Sequence, residues 1–285
     1  MKRVILLTVC IIFAVTSFCQ HVDSQFPGRK IIKDSSWAIS DRVTRQEIKY
    51  FDGDDKIVVV QIIKARLKKN KLLLEAATPN NSHLFGRQVV TDEMKAENTP
   101  HRLVLGGVNA DFFNMNNGIP LGPVVKDGGI IKNADSSMVA FVGVLKSGKI
   151  IMGDSILFKK RARDIKEALG ARPILLKKGQ LLTQNNSSLS TVHHPRTALG
   201  LKGRHTVYFV TVDGRQPKFS NGISLSDLGK LMRWLGIENG VNLDGGGSTT
   251  MVIWDQKTSQ YKISNQPSGK QLRPVANSWI LVRKR

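Results

Sequence analysis

The stretch that most constrains this chain is Gly240-Val-Asn-Leu-Asp-Gly-Gly-Gly-Ser-Thr-Thr-Met-Val-Ile-Trp254. It begins as a short apolar strand, breaks at three consecutive glycines and resumes as a β-branched strand. Adjacent glycines are costly in chain entropy, so a fold keeps them where the backbone bends sharply or lies close to something. Successive backbone N–H groups in such a turn form a concavity suited to an anion. Asp244 stands where the first strand ends, and Ser248 and Thr249 follow Gly245, Gly246 and Gly247. The turn therefore reads as a site with a carboxylate and two hydroxyls facing it. The bland alternative is a ligand-free bulge or hairpin.

The charge balance narrows the partner. Forty-three Lys and Arg against 22 Asp and Glu leave a net charge of +21 on 285 residues, while apolar content, 41%, is that of an ordinary globular chain. An anionic partner is implied: nucleic acid, acidic polysaccharide or a membrane surface. Nucleic acid fits poorly. The basic residues are scattered, aromatics are only 6%, and no helix-turn-helix, zinc-finger or RNP pattern supplies a reading element. A phosphate- or uronate-bearing glycan suits the charge.

Residues 1–19 read as a secretory signal peptide. Lys2 and Arg3 precede an apolar run from Val4 to Val15, and Ser17 and Cys19 supply small residues before a cut ahead of Gln20. The run is too short for a good transmembrane span, and no other stretch provides one. Both cysteines, Cys10 and Cys19, leave with it, so no disulfide, thiolate zinc site or Cys nucleophile is expected. A lipid anchor on Cys19 is the alternative, and the bulky Phe18 argues against it. The chain is expected to be exported, whether secreted, periplasmic or held in the cell envelope.

Residues 20–36, with a Pro-Gly pair, read as a linker, and 37–285 as a single α+β domain with a mixed, largely antiparallel sheet and few helices. Strand patterns cover Ile57–Ile63, Lys71–Ala77 and Leu103–Phe113; Met138–Val144, Ile150–Met152 and Ser155–Phe158 add further short strands. Thr91–Asn98, capped by Thr91, and Asp164–Leu169 read as helices. The clearest helix is Ser224–Gly236, where Leu228, Leu231, Met232 and Leu235 recur at helical spacing. The acidic tip Phe51–Asp55 lacks the spacing of a calcium loop and reads as a hairpin turn.

Two more constellations carry chemistry. Strand alternation places Asn109 and Asp111 on one face, like the lining of a site, and Asn242 and Asp244 repeat that pattern. The hairpin turning near Gly203 brings residue 194 opposite about 212 and 196 opposite about 210, so His194, Arg196 and Asp213 gather at its open end. Arg holds phosphate oxygens with a planar fork, and His or Asp can move a proton or attack. The Asp213-Gly-Arg215 turn adds a second Arg.

Together Gly107-Val-Asn-Ala-Asp-Phe-Phe113, His194-Pro-Arg-Thr-Ala-Leu-Gly200, Val212-Asp-Gly-Arg215, Asn242–Met251 and Arg273-Pro-Val-Ala-Asn277 resemble the phosphodiester glycosidase family, in the right order from about Val58 onward. The family's usual Asn-Gly-Gly-Phe-Phe is Asn-Ala-Asp-Phe-Phe here, so Asp111 is either an added catalytic or metal group or an incidental variant. The resemblance implies cleavage of a sugar–O–phosphate diester at the anomeric carbon, on a phosphorylated glycan. It implies Asp244 as nucleophile or general base, with His194 and Asp213 as further catalytic groups. Arg196 with Arg273 or Arg215 would clamp the phosphate, aided by Thr197 and the N–H groups of the glycine turn. Asn109 and Asn242 would hold sugar hydroxyls. A phosphomonoester leaves readily, so a strong general acid is less necessary than in ordinary glycosidases, and no cofactor is expected.

Two rival readings remain. In one, Asp111, Asp213 and Asp244 gather a divalent cation in a metal-dependent phosphodiesterase that breaks P–O. Alternatively, the chain is a non-catalytic module that adheres to anionic glycan through its charge.

Overall fold

The computed structural model describes residues 29–135 and 140–284. The chain runs through strands β1 (Lys30–Ala38), β2 (Val43–Phe51), β3 (Ile57–Arg66) and β4 (Leu72–Ala77), helix α1 (Val90–Ala96) and β5 (Arg102–Asn109). A second block holds β6 (Val124–Lys126), β7 (Gly129–Lys132), β8 (Ala140–Leu145), β9 (Ile150–Gly153), helix α2 (Ser155–Arg161) and β10 (Ile165–Ala171). Next come β11 (Ile174–Lys177), β12 (Gln180–Leu181), the short α3 (Ser188–Thr191), β13 (Arg196–Lys202), β14 (Thr206–Val212), α4 (Leu225–Trp234) and β15 (Asn239–Asn242). The chain closes with β16 (Met251–Asp255), β17 (Gln260–Ile263) and β18 (Ser278–Lys284).

The expected α+β class, largely antiparallel with few helices, holds, with the strands divided among three sheets. Their orders are β1-β2-β3-β14-β13-β15-β11-β12, β7-β6-β10-β8-β9 and β17-β16-β5-β18-β4. One apolar core, including Ile63, Leu105, Val142, Leu169, Phe209, Val241 and Trp279, draws on all three. Each longer helix then covers a smaller apolar cluster: α4 through Leu228, Leu231 and Met232, α1 through Val90 and Met94, and α2 through Phe158. Each such side chain contributes roughly 1.5–3 kcal/mol by leaving water. Ser224 caps α4 by accepting from Asp227 N at 3.1 Å, and Gly236 ends it at φ +77°.

Several expectations need correction. The linker assigned to residues 20–36 is strand from Lys30 onward, because β1 pairs with β2 along its length; its residues 20–28, like the signal peptide, lie outside the described residues. Ser155–Phe158 is helix, since Asp154 caps α2 by accepting from Leu157 N at 3.0 Å. Asp164–Leu169, expected helical, is mostly β10, held between β6 and β8. Its apolar run is buried on both faces, which periodicity alone does not separate from a buried helix. Thr91 lies inside α1, whose cap position is Val89.

Register also moved. Arg196 faces Val212, and Lys202 faces Thr206, so the β13–β14 turn is centred on Arg204 rather than Gly203. β5 ends at Asn109, and Asp111 lies beyond it, where Asn277 Oδ1 accepts the Asp111 N–H at 2.9 Å. Among the described residues no helix is long and apolar enough to cross a membrane.

Candidate active site

β5, β14 and β15 end, and β13 and β18 begin, at one end of the molecule, and hydrogen bonds lock these ends together. Asp244 N donates to Ala110 O at 2.8 Å, Leu243 N to Thr197 O at 2.8 Å, Ala110 N to Asn277 O at 3.1 Å, and Gly246 N to Pro195 O at 2.8 Å. Residues separated by more than a hundred positions therefore share one surface.

The glycine turn is the floor of this surface. Gly246–Ser248 forms a single 3₁₀ turn. Its N–H groups are largely spoken for: Gly245 N donates to Asp244 Oδ1 at 2.9 Å, Ser248 N to Gly245 O at 3.1 Å, and Thr249 N to Gly246 O at 3.2 Å. With Gly246 N on Pro195, the expected row of free N–H donors is not formed. The glycines serve close approach instead. A side chain on Gly246, which has φ +58°, would meet Arg215 Nη1 at 3.1 Å, and one on Gly247 would lie 2.7 Å from Arg273 Cζ. Gly245 is pinned differently, its Cβ position 2.6 Å from the Pro195 carbonyl oxygen. Two guanidinium groups thus lie against consecutive glycines, Arg215 exposed and Arg273 half-buried. That arrangement offers charged donors to an anion where the three-residue turn does not.

Asp244 stands beside this pair. Burial pushes its carboxyl up to about 6, against the opposing pull of the Ser248 hydroxyl, the Gly245 N–H and Arg273. Arg273 Nη1 donates to Ser248 Oγ at 3.4 Å, so arginine, hydroxyl and carboxylate form a short relay. His194 completes the rim. Arg215 Nη2 lies 3.4 Å from His194 Nδ1, and since a guanidinium only donates, Nδ1 is the acceptor and the ring proton sits on Nε2. Burial, then Arg196 and Arg215, lowers the imidazole's pKa, which keeps that ring neutral.

Other expected site residues have different tasks. Arg196 is 2% exposed, with Nε donating to Ile223 O at 3.1 Å and Nη2 to Leu189 O at 2.6 Å and Val192 O at 2.9 Å. Buried, it ties the segment before β13 to the one after β14, which corrects its assignment as a phosphate clamp. Asn109, fully buried, donates to Asp244 O at 2.7 Å and accepts from Thr197 Oγ1 at 2.8 Å and Thr250 N at 3.0 Å. Asn109 and Thr197, both fully buried, therefore support the turn from below. Asn242 donates to Arg172 O at 2.7 Å, leaving its Oδ1 buried without a protein partner, as is Thr249 Oγ1.

Asp213 accepts from Asn265 Nδ2 at 3.0 Å and Gln266 N at 2.9 Å, and burial raises its pKa to about 7. It anchors the segment after β17 rather than meeting His194 at the hairpin's mouth. Asp111 Oδ2 accepts from Gly122 N at 2.7 Å, and burial raises it to about 7 as well. A Cβ on Gly170 would stand 2.5 Å from that oxygen, so glycine there makes room for Asp111. Among the described residues no three His, Cys, Asp or Glu side chains gather as metal ligands, and Asp111, Asp213 and Asp244 form no such set.

Sequence reasoning missed two participants. Arg172, beside Asp111 and 5.5 Å from the centre of the Phe112 ring, was hidden by the expected helix before it. Asn277 lies within a recognised motif, yet the acceptance of the Asp111 N–H by its side chain is not signalled by local sequence.

This antiparallel framework, with its glycine turn and flanking arginines, belongs to the phosphodiester glycosidase family, whose model matches residues 103–282. Relatives follow the same line. The chain is 28% identical over 163 residues to the mouse N-acetylglucosamine-1-phosphodiester alpha-N-acetylglucosaminidase, covering 51% of this chain and 31% of that protein. It is 31% identical over 155 residues to the SPbeta prophage-derived uncharacterized protein YomE of Bacillus subtilis, covering 51% and 24%. The chain thus spans about a third or less of these curated relatives. In fold it is similar to the zebrafish N-acetylglucosamine-1-phosphodiester alpha-N-acetylglucosaminidase catalytic domain auto-inhibited by pro-peptide, with TM-score 0.68, 20% identity, and coverage of 94% of this chain and 92% of that one. A hypothetical protein from Synechocystis gives TM-score 0.68 at 13% identity, covering 88% and 64%.

Proposed function

We propose that the chain is an exported hydrolase that cleaves a sugar-1-phosphodiester at the anomeric C–O bond, on a phosphate-bearing glycan. The observation that carries this reading is the pair Arg215 and Arg273 against Gly246 and Gly247, with the carboxyl of Asp244 raised to about 6 beside them. The two guanidiniums neutralise and orient a phosphodiester. Asp244, ionised above about pH 6, takes a proton from the water that attacks the anomeric carbon. The C–O bond breaks with its electron pair passing to the phosphate, which leaves as a monoester. His194, holding its proton on Nε2, donates a hydrogen bond to the departing oxygens. One carboxylate suffices because the leaving group needs little protonation, and no metal enters this scheme. The relatives' printed names make α-linked N-acetylglucosamine-1-phosphodiesters the first substrates to test.

The test is sugar release from a panel of α-linked hexose- and N-acetylhexosamine-1-phosphodiesters in ¹⁸O-labelled water, by wild type and Asp244→Asn. Label in the sugar, with release lost in the variant, supports the reading. Label in the phosphate instead would overturn C–O cleavage. Binding without release of any sugar would leave an adhesive module.

A further inference from the structure

At the other end of the strands, about 20 Å from the glycine turn given seven-residue strands rising ~3.3 Å per residue, lies a cleft of about 710 Å³. Two hairpin tips, the β3–β4 connection and the end of β18 converge on it. The β3–β4 connection supplies Lys68 and Lys69, the β8–β9 turn Lys146 and Lys149, the β13–β14 turn Arg204, and β18 Lys284. None of these six side chains has an ion-pair partner among the described residues. The one acid in the lining, Glu75, is already engaged by Arg102 at 2.7 Å and Lys166 at 3.4 Å. Like charges held within a Debye length of one another repel, and the concave wall focuses their field outward.

We propose that this cleft is a second, non-catalytic binding site for a linear polymer, other than nucleic acid, with repeating phosphate groups. A chain of regularly spaced anions gains from several cations at once by releasing its condensed counterions. Two other polyanions fit less well. A membrane surface calls for apolar side chains to insert, and none of the large exposed apolar residues, such as Trp37, Leu84 or Ile156, lines the cleft. Single-stranded nucleic acid gains from stacking platforms, and the lining holds no Phe, Tyr or Trp. The inference goes beyond the hydrolytic reading and does not depend on it. If the polymer also carries the scissile diester, the cleft raises the local concentration of substrate at the distant turn.

The experiment titrates labelled inorganic polyphosphate against the full chain at two salt concentrations. Lys68→Glu, Lys69→Glu, Lys146→Glu and Lys149→Glu together are expected to weaken binding at least thirtyfold and flatten its salt dependence. The same reversal at Lys30, Lys49, Lys56 and Lys257, none of which lines the cleft, is expected to weaken it less than threefold. Equal loss in both variants would mean that net charge alone binds, and would overturn the site, as would undiminished binding by the cleft variant. Tighter cleft-dependent binding of duplex DNA or anionic phospholipid vesicles than of polyphosphate would overturn the choice of partner. Should the fourfold variant not fold, Lys146→Gln with Lys149→Gln at one exposed turn provides the same comparison. Because binding is read directly, a failure of the hydrolytic reading leaves this result unaffected.

Discussion

Asn109 donates its side-chain amide to the backbone carbonyl of Asp244 at 2.7 Å, tying the end of β5 to the start of the glycine turn. Its Oδ1 accepts from Thr197 and from Thr250 N, so one buried amide joins three segments. Asn109→Ala leaves buried polar groups unpaired, each costing roughly 1–3 kcal/mol. A chemical denaturation series is expected to show a loss of at least about 2 kcal/mol, together with reduced turnover. A change confined to KM would argue that Asn109 touches substrate instead.

The three arginines separate by role. Arg273→Lys or Arg215→Lys removes a planar fork from the phosphate and is expected to lower kcat/KM by about 10²-fold with little change in Tm. Arg196→Lys strips donors from the carbonyls of Leu189, Val192 and Ile223. Its expected signature is reversed, a Tm several degrees lower. Paired melting curves and steady-state kinetics on the three variants check this division.

Consecutive glycines give a sharper contrast. In Gly247→Ala the new methyl meets the end of the Arg273 side chain, which can swing away. The protein folds, and activity falls about as far as in the arginine variant. In Gly245→Ala the methyl meets the Pro195 carbonyl, part of the backbone, and the fold yields instead. Soluble yield and Tm of the two alanine variants are the readout, and equal damage in both would contradict the assignment.

Acidity acts in opposite senses on activity and stability. Asp244, raised to about 6, must ionise to serve as base, so kcat/KM is expected to rise with pH through about 6. Asp111 and Asp213, raised to about 7, hold protons in the folded chain that they release in the unfolded one between about pH 4 and 7. The folded state binds more protons in that window, so their contribution is fully present below about pH 4 and is lost as pH rises through 7. Tm is therefore expected to be lower at pH 8 than at pH 5, with a smaller difference in Asp111→Asn/Asp213→Asn.

Turnover is expected to persist in a chelator, because the proposed steps use only protein groups. With Asp244 acting as base, the freshly released sugar should carry the anomeric configuration opposite to that of the substrate. Proton NMR early in the reaction reads this directly, and retained configuration would instead assign Asp244 as the nucleophile.

Periodicity and capping made the strongest elements legible. The leucines of α4, its Ser224 cap and its Gly236 stop follow from spacing alone, as does the placement of Asp244 at the end of a strand. The exchange of helix and strand at α2 and β10 was not legible, because a run buried on both faces carries no period and the Asp154 cap is a single residue. The distinction between Arg196 and its neighbours was hidden for a different reason. Sequence reports a guanidinium, whereas its role depends on the three carbonyls that surround it after β13 and α3 are in place. Likewise a two-residue shift in hairpin register was enough to move Asp213 from the mouth of the site to a supporting bond with Asn265 and Gln266.

β18 enters its sheet between β4 and β5, two strands that precede it by more than 160 residues. Until it docks, the carbonyl and amide of Asn277 are absent from the Ala110–Asp111 segment, and the glycine turn has lost a wall. Contacts so distant along the chain form slowly. On the proposed function, competence is therefore expected to arrive late and all together, when β18 closes its sheet.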